Sequence, residues 1–174
     1  MVDAEKNSLF EQLHETLEKL VGVYRLLLDC VRREKELLIE VNINELEENN
    51  KSKSAALKKL HRLETERIRV VEQLAQQLGL KEQPIKLLDI AQKFAGDDRG
   101  ERLRQKHSVL ELLVERVIEN NRQNESLAQS ALKNVTGALN AIREGTQEKP
   151  TYARQGAMKG QSASGQIVRR AASE

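Results

Sequence analysis

The first segment of the chain, about Asp3 to Val41, carries a nearly unbroken apolar row. Phe10, Leu13, Leu17, Leu20, Tyr24, Leu27, Val31, Leu38 and Val41 follow one another at alternating spacings of three and four, with Glu34 as the polar intruder. That spacing keeps one face of an α-helix apolar, and a sustained 3.5-residue repeat favours left-handed supercoiling against a neighbour. At about 1.5 Å rise per residue the helix is roughly 55 Å long, so other helices must cover its seam. Composition agrees: charged residues are 32% and aromatics 2% of 174 residues. So few aromatics rule out a bulky globular core, and burial must come from aliphatic seams between helices.

The pattern then breaks at "VNINELEENN". Asn42, with Glu45 three residues on, has the polarity of a helix N-cap, which predicts a boundary and a second helix running to about Leu78. The second row is Leu46, Ala56, Leu60, Leu63, Val70 and Leu74, and Gly79 before Leu80 predicts a Schellman stop. A short helix opened by Pro84 and the loop "GDDRG" at 96–100 lead to a third long helix, about Glu101 to Arg143, closed by Gly145. The expected architecture is all-α: an antiparallel bundle of three long helices plus one short helix, with a disordered C-terminal tail. Residues 1–145 form the helical bundle domain. Residues 146–174 form a flexible basic tail of net charge +3, from five Lys/Arg against two Glu, with too little apolar surface to offset its ordering entropy.

Six polar residues interrupt the seams: Glu34, Asn49, Lys53, Arg67, Asn121 and Asn124. An unpartnered buried amide costs about 1–3 kcal/mol and an unpaired buried charge more. These residues therefore meet one another or lie where a seam opens. A fold-back at Asn42 brings Glu34 level with about Asn49, and Lys53 lies one turn beyond. Two readings stand: register control by Glu34, Lys53, Arg67, Asn121 and Asn124, or a bundle left loose for a partner helix.

Catalytic chemistry is not in evidence, and the chain is not expected to be an enzyme. His14, His61 and His107 lie on separate helices without companions at metal-ligand spacing, so no metal and no cofactor is expected. "GDDRG" lacks the pattern of a phosphate-cradling loop, and no small-molecule site stands out. The basic tail could touch phosphates weakly, yet the aromatic interleaving of single-strand binders is missing, so nucleic acid is not the expected partner. Cys30 reads as a small buried residue. No apolar run approaches the roughly 18 residues of a membrane span, and the acidic, polar start is unlike a signal peptide, so the expectation is a cytoplasmic protein without membrane insertion.

Several features, in this order, resemble the FlgN family of flagellar export chaperones. The first is "CVRREKELLIEVNINELEENNKSKSAALKKL", with a glutamate, the Leu37–Leu38 pair, a capping Asn42, Leu46, then Lys53 before Leu57 and Leu60. Arg67 follows late in the second helix. "VIENNRQNESLAQSALKNVTGAL" supplies Asn121 and Asn124 at N-x-x-N spacing, and "TYARQG" supplies a tail tyrosine and glycine. The resemblance implies a cytosolic helical chaperone of the hook-associated proteins FlgK and FlgL. Such a chaperone covers their terminal helical segments and presents them to the export gate.

The expected client surface is the second half of the third long helix together with the tail. Val135, Ala138, Leu139 and Ile142 form a small-residue apolar strip, and Tyr152, Gly156 and Met158 offer an anchor, a bend and an adaptable contact. The strip reads equally as ordinary bundle core, and Tyr152 reads equally as a contact to the gate. The competing function is a self-associating coiled-coil scaffold, and whether the free chain forms a homodimer stays open.

Overall fold

The computed structural model describes residues 2–80 and 84–146. Their elements are α1 (Val2–Glu40), α2 (Ile43–Gln77), α3 (Leu87–Lys93) and α4 (Asp98–Thr146), with no strand among the described residues. The expected disorder of the tail concerns residues that lie outside this description. The chain divides into two units, Met1–Ser130 and Ala131–Glu174, so the boundary falls inside α4.

Within the first unit the apolar rows of α1 and α2 make the core. Phe10, Leu13, Leu17, Leu20, Leu27 and Val31 of α1 are buried, as are Ala56, Leu63, Val70 and Leu74 of α2. The two helices run antiparallel: Arg33 pairs with Glu45 (2.6 Å) and Glu34 with Lys53 (2.8 Å) near the turn, and Tyr24 lies farther along beside Glu64 and Arg67. α4 runs parallel to α1, since Glu11 meets Arg102 (3.2 Å), Glu18 meets Lys106, and the Val31 carbonyl meets Asn124 (2.7 Å). Consecutive long helices are therefore antiparallel, the three-helix arrangement expected from the sequence. One position departs from the predicted seam. α1 ends at Glu40, so Val41 has left the helical face and is exposed, and Leu37 rather than Leu38 is the last fully buried leucine of α1.

The connections explain the boundaries. α1 closes on Val41 with φ 56°, and the Asn42 N–H reaches back to Leu37 O (3.1 Å). Asn42 then caps α2: its Oδ1 accepts from the Glu45 N–H (3.3 Å) and its Nδ2 donates to Glu45 Oε1 (2.8 Å). Gly79 at φ 71° completes a Schellman end, with Leu80 N–H bonded to Ala75 O (3.0 Å) and Gly79 N–H to Gln76 O (3.2 Å). α3 begins at Leu87 rather than at Pro84, because the Lys86 N–H finds Asp89 Oδ2 at 2.7 Å and the helix starts behind that bond. α4 begins at Asp98, earlier than the predicted Glu101. Asp97 accepts the Arg99 N–H (2.9 Å), which draws residues 98–100 into the first turn.

The two phenylalanines meet at this end of the unit. Phe10 and Phe94 stand edge to face at 5.5 Å between centroids, the Arg99 guanidinium lies 4.4 Å from the Phe94 centroid, and Arg102 lies 5.4 Å from that of Phe10. Gly100 makes the approach of α4 to α3 feasible: a Cβ there would lie 2.9 Å from the Ala91 carbonyl oxygen and against the backbone of Phe94. Gly100→Ala is therefore expected to cost about 2 kcal/mol, since backbone rather than a flexible side chain must move. A denaturant midpoint within error of wild type would contradict that reading.

Burial, with Arg102 next and Lys106 after it outweighing Glu18 and Glu11, pushes the His14 imidazole below its ordinary 6.5. The Lys106 hydrogen bond holds Glu18 below its ordinary 4.5. Both groups bind a proton less readily folded than unfolded, so unfolding takes up protons and acid destabilises. The His14 contribution is complete above pH 6.5 and is lost as pH falls through the lowered folded value; the Glu18 contribution is lost only below 4.5. The thermal midpoint should thus begin to drop just below pH 6.5, and His14→Gln should erase that first drop while leaving the more acidic one.

Candidate functional site

Two features among the described residues make the candidate site, and each lies within one unit. The first is a polar node among α1, α2 and α4. Glu34 stands on the α1 seam, where its carboxylate Oε2 accepts from Lys53 Nζ of α2 (2.8 Å) and from Asn124 Nδ2 of α4 (2.9 Å). The same Lys53 ammonium donates to Asn121 Oδ1 (2.9 Å), and Asn124 Nδ2 also reaches the Val31 carbonyl (2.7 Å). Beside it, Asn49 Nδ2 donates to the Cys30 carbonyl (3.0 Å). Two successive carbonyls of α1, already inside the helix ladder, thus use their second lone pairs to hold amides from α2 and α4.

The node is largely sheltered. The side chains of Lys53 and Glu34 are 20% and 16% exposed, and Asn124 is 4% exposed. Both donor bonds of Asn124 fix its amide orientation, which leaves Oδ1 buried with no hydrogen bond among the described residues. Four of the five residues expected to control register, Glu34, Lys53, Asn121 and Asn124, therefore come together. Arg67 does not join them: it pairs along its own helix with Glu64 (2.8 Å), three residues earlier. Cys30 is buried beside the node, and burial raises its thiol above the ordinary value.

The second feature belongs to the unit that begins at Ala131. Every residue from 131 to 145 is exposed. Leu132, Val135, Leu139 and Ile142 are between 58% and 66% exposed, and with Ala131 and Ala138 they fall on one face of α4 at helical spacing. Lys133, Asn140, Arg143 and Glu144 occupy other faces. The expected strip of Val135, Ala138, Leu139 and Ile142 is thus an exposed apolar surface rather than core, and Leu132 extends it by a turn. An aliphatic face of this kind can do one thing chemically, which is to cover another apolar surface. Tyr152, Gly156 and Met158 lie outside the described residues.

The arrangement holds no cluster of His, Cys, Asp and Glu suited to a metal among the described residues, and no described helix is long and apolar enough to cross a membrane. Sequence reasoning missed two things. It placed Val41 on the seam, where an apolar residue in phase with the row looks the same whether the helix continues or has ended. It also missed the meeting of Phe10 and Phe94, which nothing in the heptad row announces.

If the node acts as a unit, its members must be energetically coupled. Lys53→Met alone leaves the sheltered Glu34 carboxylate without its cation and should cost about 2 kcal/mol, discounted from the fully buried case by its partial exposure. In a double-mutant cycle with Glu34→Gln, denaturant titrations should return a coupling of at least ~1 kcal/mol. Additive losses would mean that the pair is a surface contact and no more.

The family model described as FlgN protein matches residues 1–160. No curated relative and no solved structure matches the chain.

Proposed function

The chain belongs to the FlgN family of flagellar export chaperones, and from that premise we propose that it binds the terminal helical segments of the hook-associated proteins FlgK and FlgL in the cytoplasm, keeps them from assembling early and presents them to the export gate. The observation that carries this reading is the exposed aliphatic face at residues 131–142. An amphipathic client helix left bare would polymerise or aggregate through its apolar ridge, and a matching ridge covers it in the manner of a helix laid into a groove. Val135, Ala138, Leu139 and Ile142 are the client-contacting residues of the helix. Tyr152, Gly156 and Met158 of the tail extend the contact or meet the gate.

The polar node has a different task on this reading. It penalises slipped alignments of α4 against α1 and α2, because any slip of a residue or more strands the Glu34 carboxylate and the Lys53 ammonium without partners. FlgN proteins are a chaperone family rather than enzymes, and the node is accordingly read as structural.

Binding of fluorescent FlgK and FlgL terminal peptides tests the proposal. Val135→Glu with Leu139→Glu should weaken binding at least tenfold while leaving the thermal midpoint nearly unchanged, since both side chains are exposed. Deleting residues 147–174 should also weaken binding at nearly constant helicity. Undiminished affinity in both variants would sink the client surface. Light scattering separates the coiled-coil scaffold reading: a scaffold stays oligomeric on dilution, whereas a chaperone forms a one-to-one complex with its client.

A further inference from the structure

The turn between α1 and α2 exposes three large aliphatic side chains within five residues. Ile39 and Ile43 are each 64% exposed and Val41 is 74% exposed, and none of them belongs to the core. Val41 also sits at φ 56°, in the left-handed region where a β-branched residue is an outlier and costs roughly 1–2 kcal/mol. The fold does not require valine there. The bond that closes α1 runs from the Asn42 N–H to Leu37 O through backbone alone, and a glycine at 41 would permit it equally. Stability therefore does not account for a strained, exposed valine between two exposed isoleucines. An outlier combined with an exposed apolar patch points to contact with something else.

Charge specifies what that is. Residues 36–50 include Glu36, Glu40, Glu45, Glu47 and Glu48 and no lysine or arginine. Glu36 and Glu45 share Arg33, at 2.9 and 2.6 Å. Glu40, Glu47 and Glu48 are exposed, and Arg33 also lies within electrostatic reach of Glu40. An acidic rim repels nucleic acid and anionic bilayers, both of which are held through Lys and Arg. We infer that the α1–α2 turn is a docking point for a protein partner that presents an apolar helix face bordered by lysines or arginines. Ile39, Val41 and Ile43 are the buried anchors and the exposed carboxylates of Glu40, Glu47 and Glu48 form the rim. The inference stands apart from the client strip and does not depend on it.

The probe is a designed amphipathic helix whose leucine ridge is bordered by arginines, with a glutamate-bordered copy as control. Both are titrated by fluorescence anisotropy into the full chain in its Leu139→Glu form, which removes the strip on α4 as a competing surface; failure of the client reading and failure of this one then show separately. The arginine-bordered helix is expected to bind at least tenfold more tightly than its control. Ile43→Asp, at a helix start that tolerates an acidic residue, should weaken it at least tenfold without loss of helicity. Val41→Gly should raise the thermal midpoint and still weaken binding. Equal affinity for the two helices, or affinity unchanged by either substitution, overturns the inference. So does retention on anionic vesicles, or a dimer in light scattering that Ile43→Asp dissolves, because each names a different occupant.

Discussion

One carboxylate oxygen does more than any other atom to define how the three long helices meet. Glu34 Oε2 accepts from Lys53 of α2 and Asn124 of α4 at once, and Lys53 ties back to Asn121 of α4. The aliphatic rows around it are permissive, since leucines and valines one heptad apart pack almost as well in a neighbouring alignment. A charge pair in a sheltered site is not permissive. Its net worth against a well-packed apolar pair is small, but the penalty for separating it is large, and that asymmetry is what selects one alignment among many. The orphaned Asn124 Oδ1 shows the cost the arrangement tolerates: the amide is turned so that its donors serve Val31 and Glu34, and its acceptor goes unmet among the described residues.

Apart from the node and the pairs that Arg102 and Lys106 make with Glu11 and Glu18, α4 is attached through a modest apolar surface. Leu103 and Leu113 are its buried leucines, while Leu110 and Val117 are half-buried. The heaviest packing lies between α1 and α2 and at the Phe10–Phe94 end, where Arg99 and Arg102 cover the rings. A helix that adds little to the core but is held in register by polar contacts differs from an ordinary bundle member. Its sequence needs to satisfy the core only in part, which frees the remaining stretch for residues chosen on other grounds.

The sequence made the helices and the seams legible because heptad spacing is a direct image of helical geometry. The rows from Phe10 to Val31 and from Ala56 to Leu74 face each other as their spacing requires, and the caps at Asn42 and Gly79 follow from side-chain chemistry and from positive φ. Glu34, Lys53, Asn121 and Asn124 could be grouped beforehand because a charge on an apolar row demands a partner. Arg67 obeyed the same demand locally, through Glu64, and spacing alone does not tell a local partner from a distant one. Val41 escaped for the converse reason, and for the same reason the row after Ala128 could be read equally as client surface or as core. An apolar residue in phase with a seam looks the same whether it is covered or bare, and only the presence of a neighbour decides.

On the proposed function, the bare row also limits how tightly a client can be held. Burying an exposed Val, Leu or Ile fully contributes about 1.5–3 kcal/mol, and the four large residues of the strip are about three-fifths exposed, so covering them yields roughly 4–7 kcal/mol. Lost translational and rotational freedom on association costs an estimated 4–15 kcal/mol. The strip by itself therefore cannot make a tight complex, and the deficit has to be met by surface outside it. On the proposed function the tail supplies that surface, with an aromatic at Tyr152 and a thioether at Met158. A chaperone that works as proposed holds its client through two partial sites, neither sufficient alone. Loosening either one is then enough to let the client go, which is what a carrier that must surrender its cargo requires.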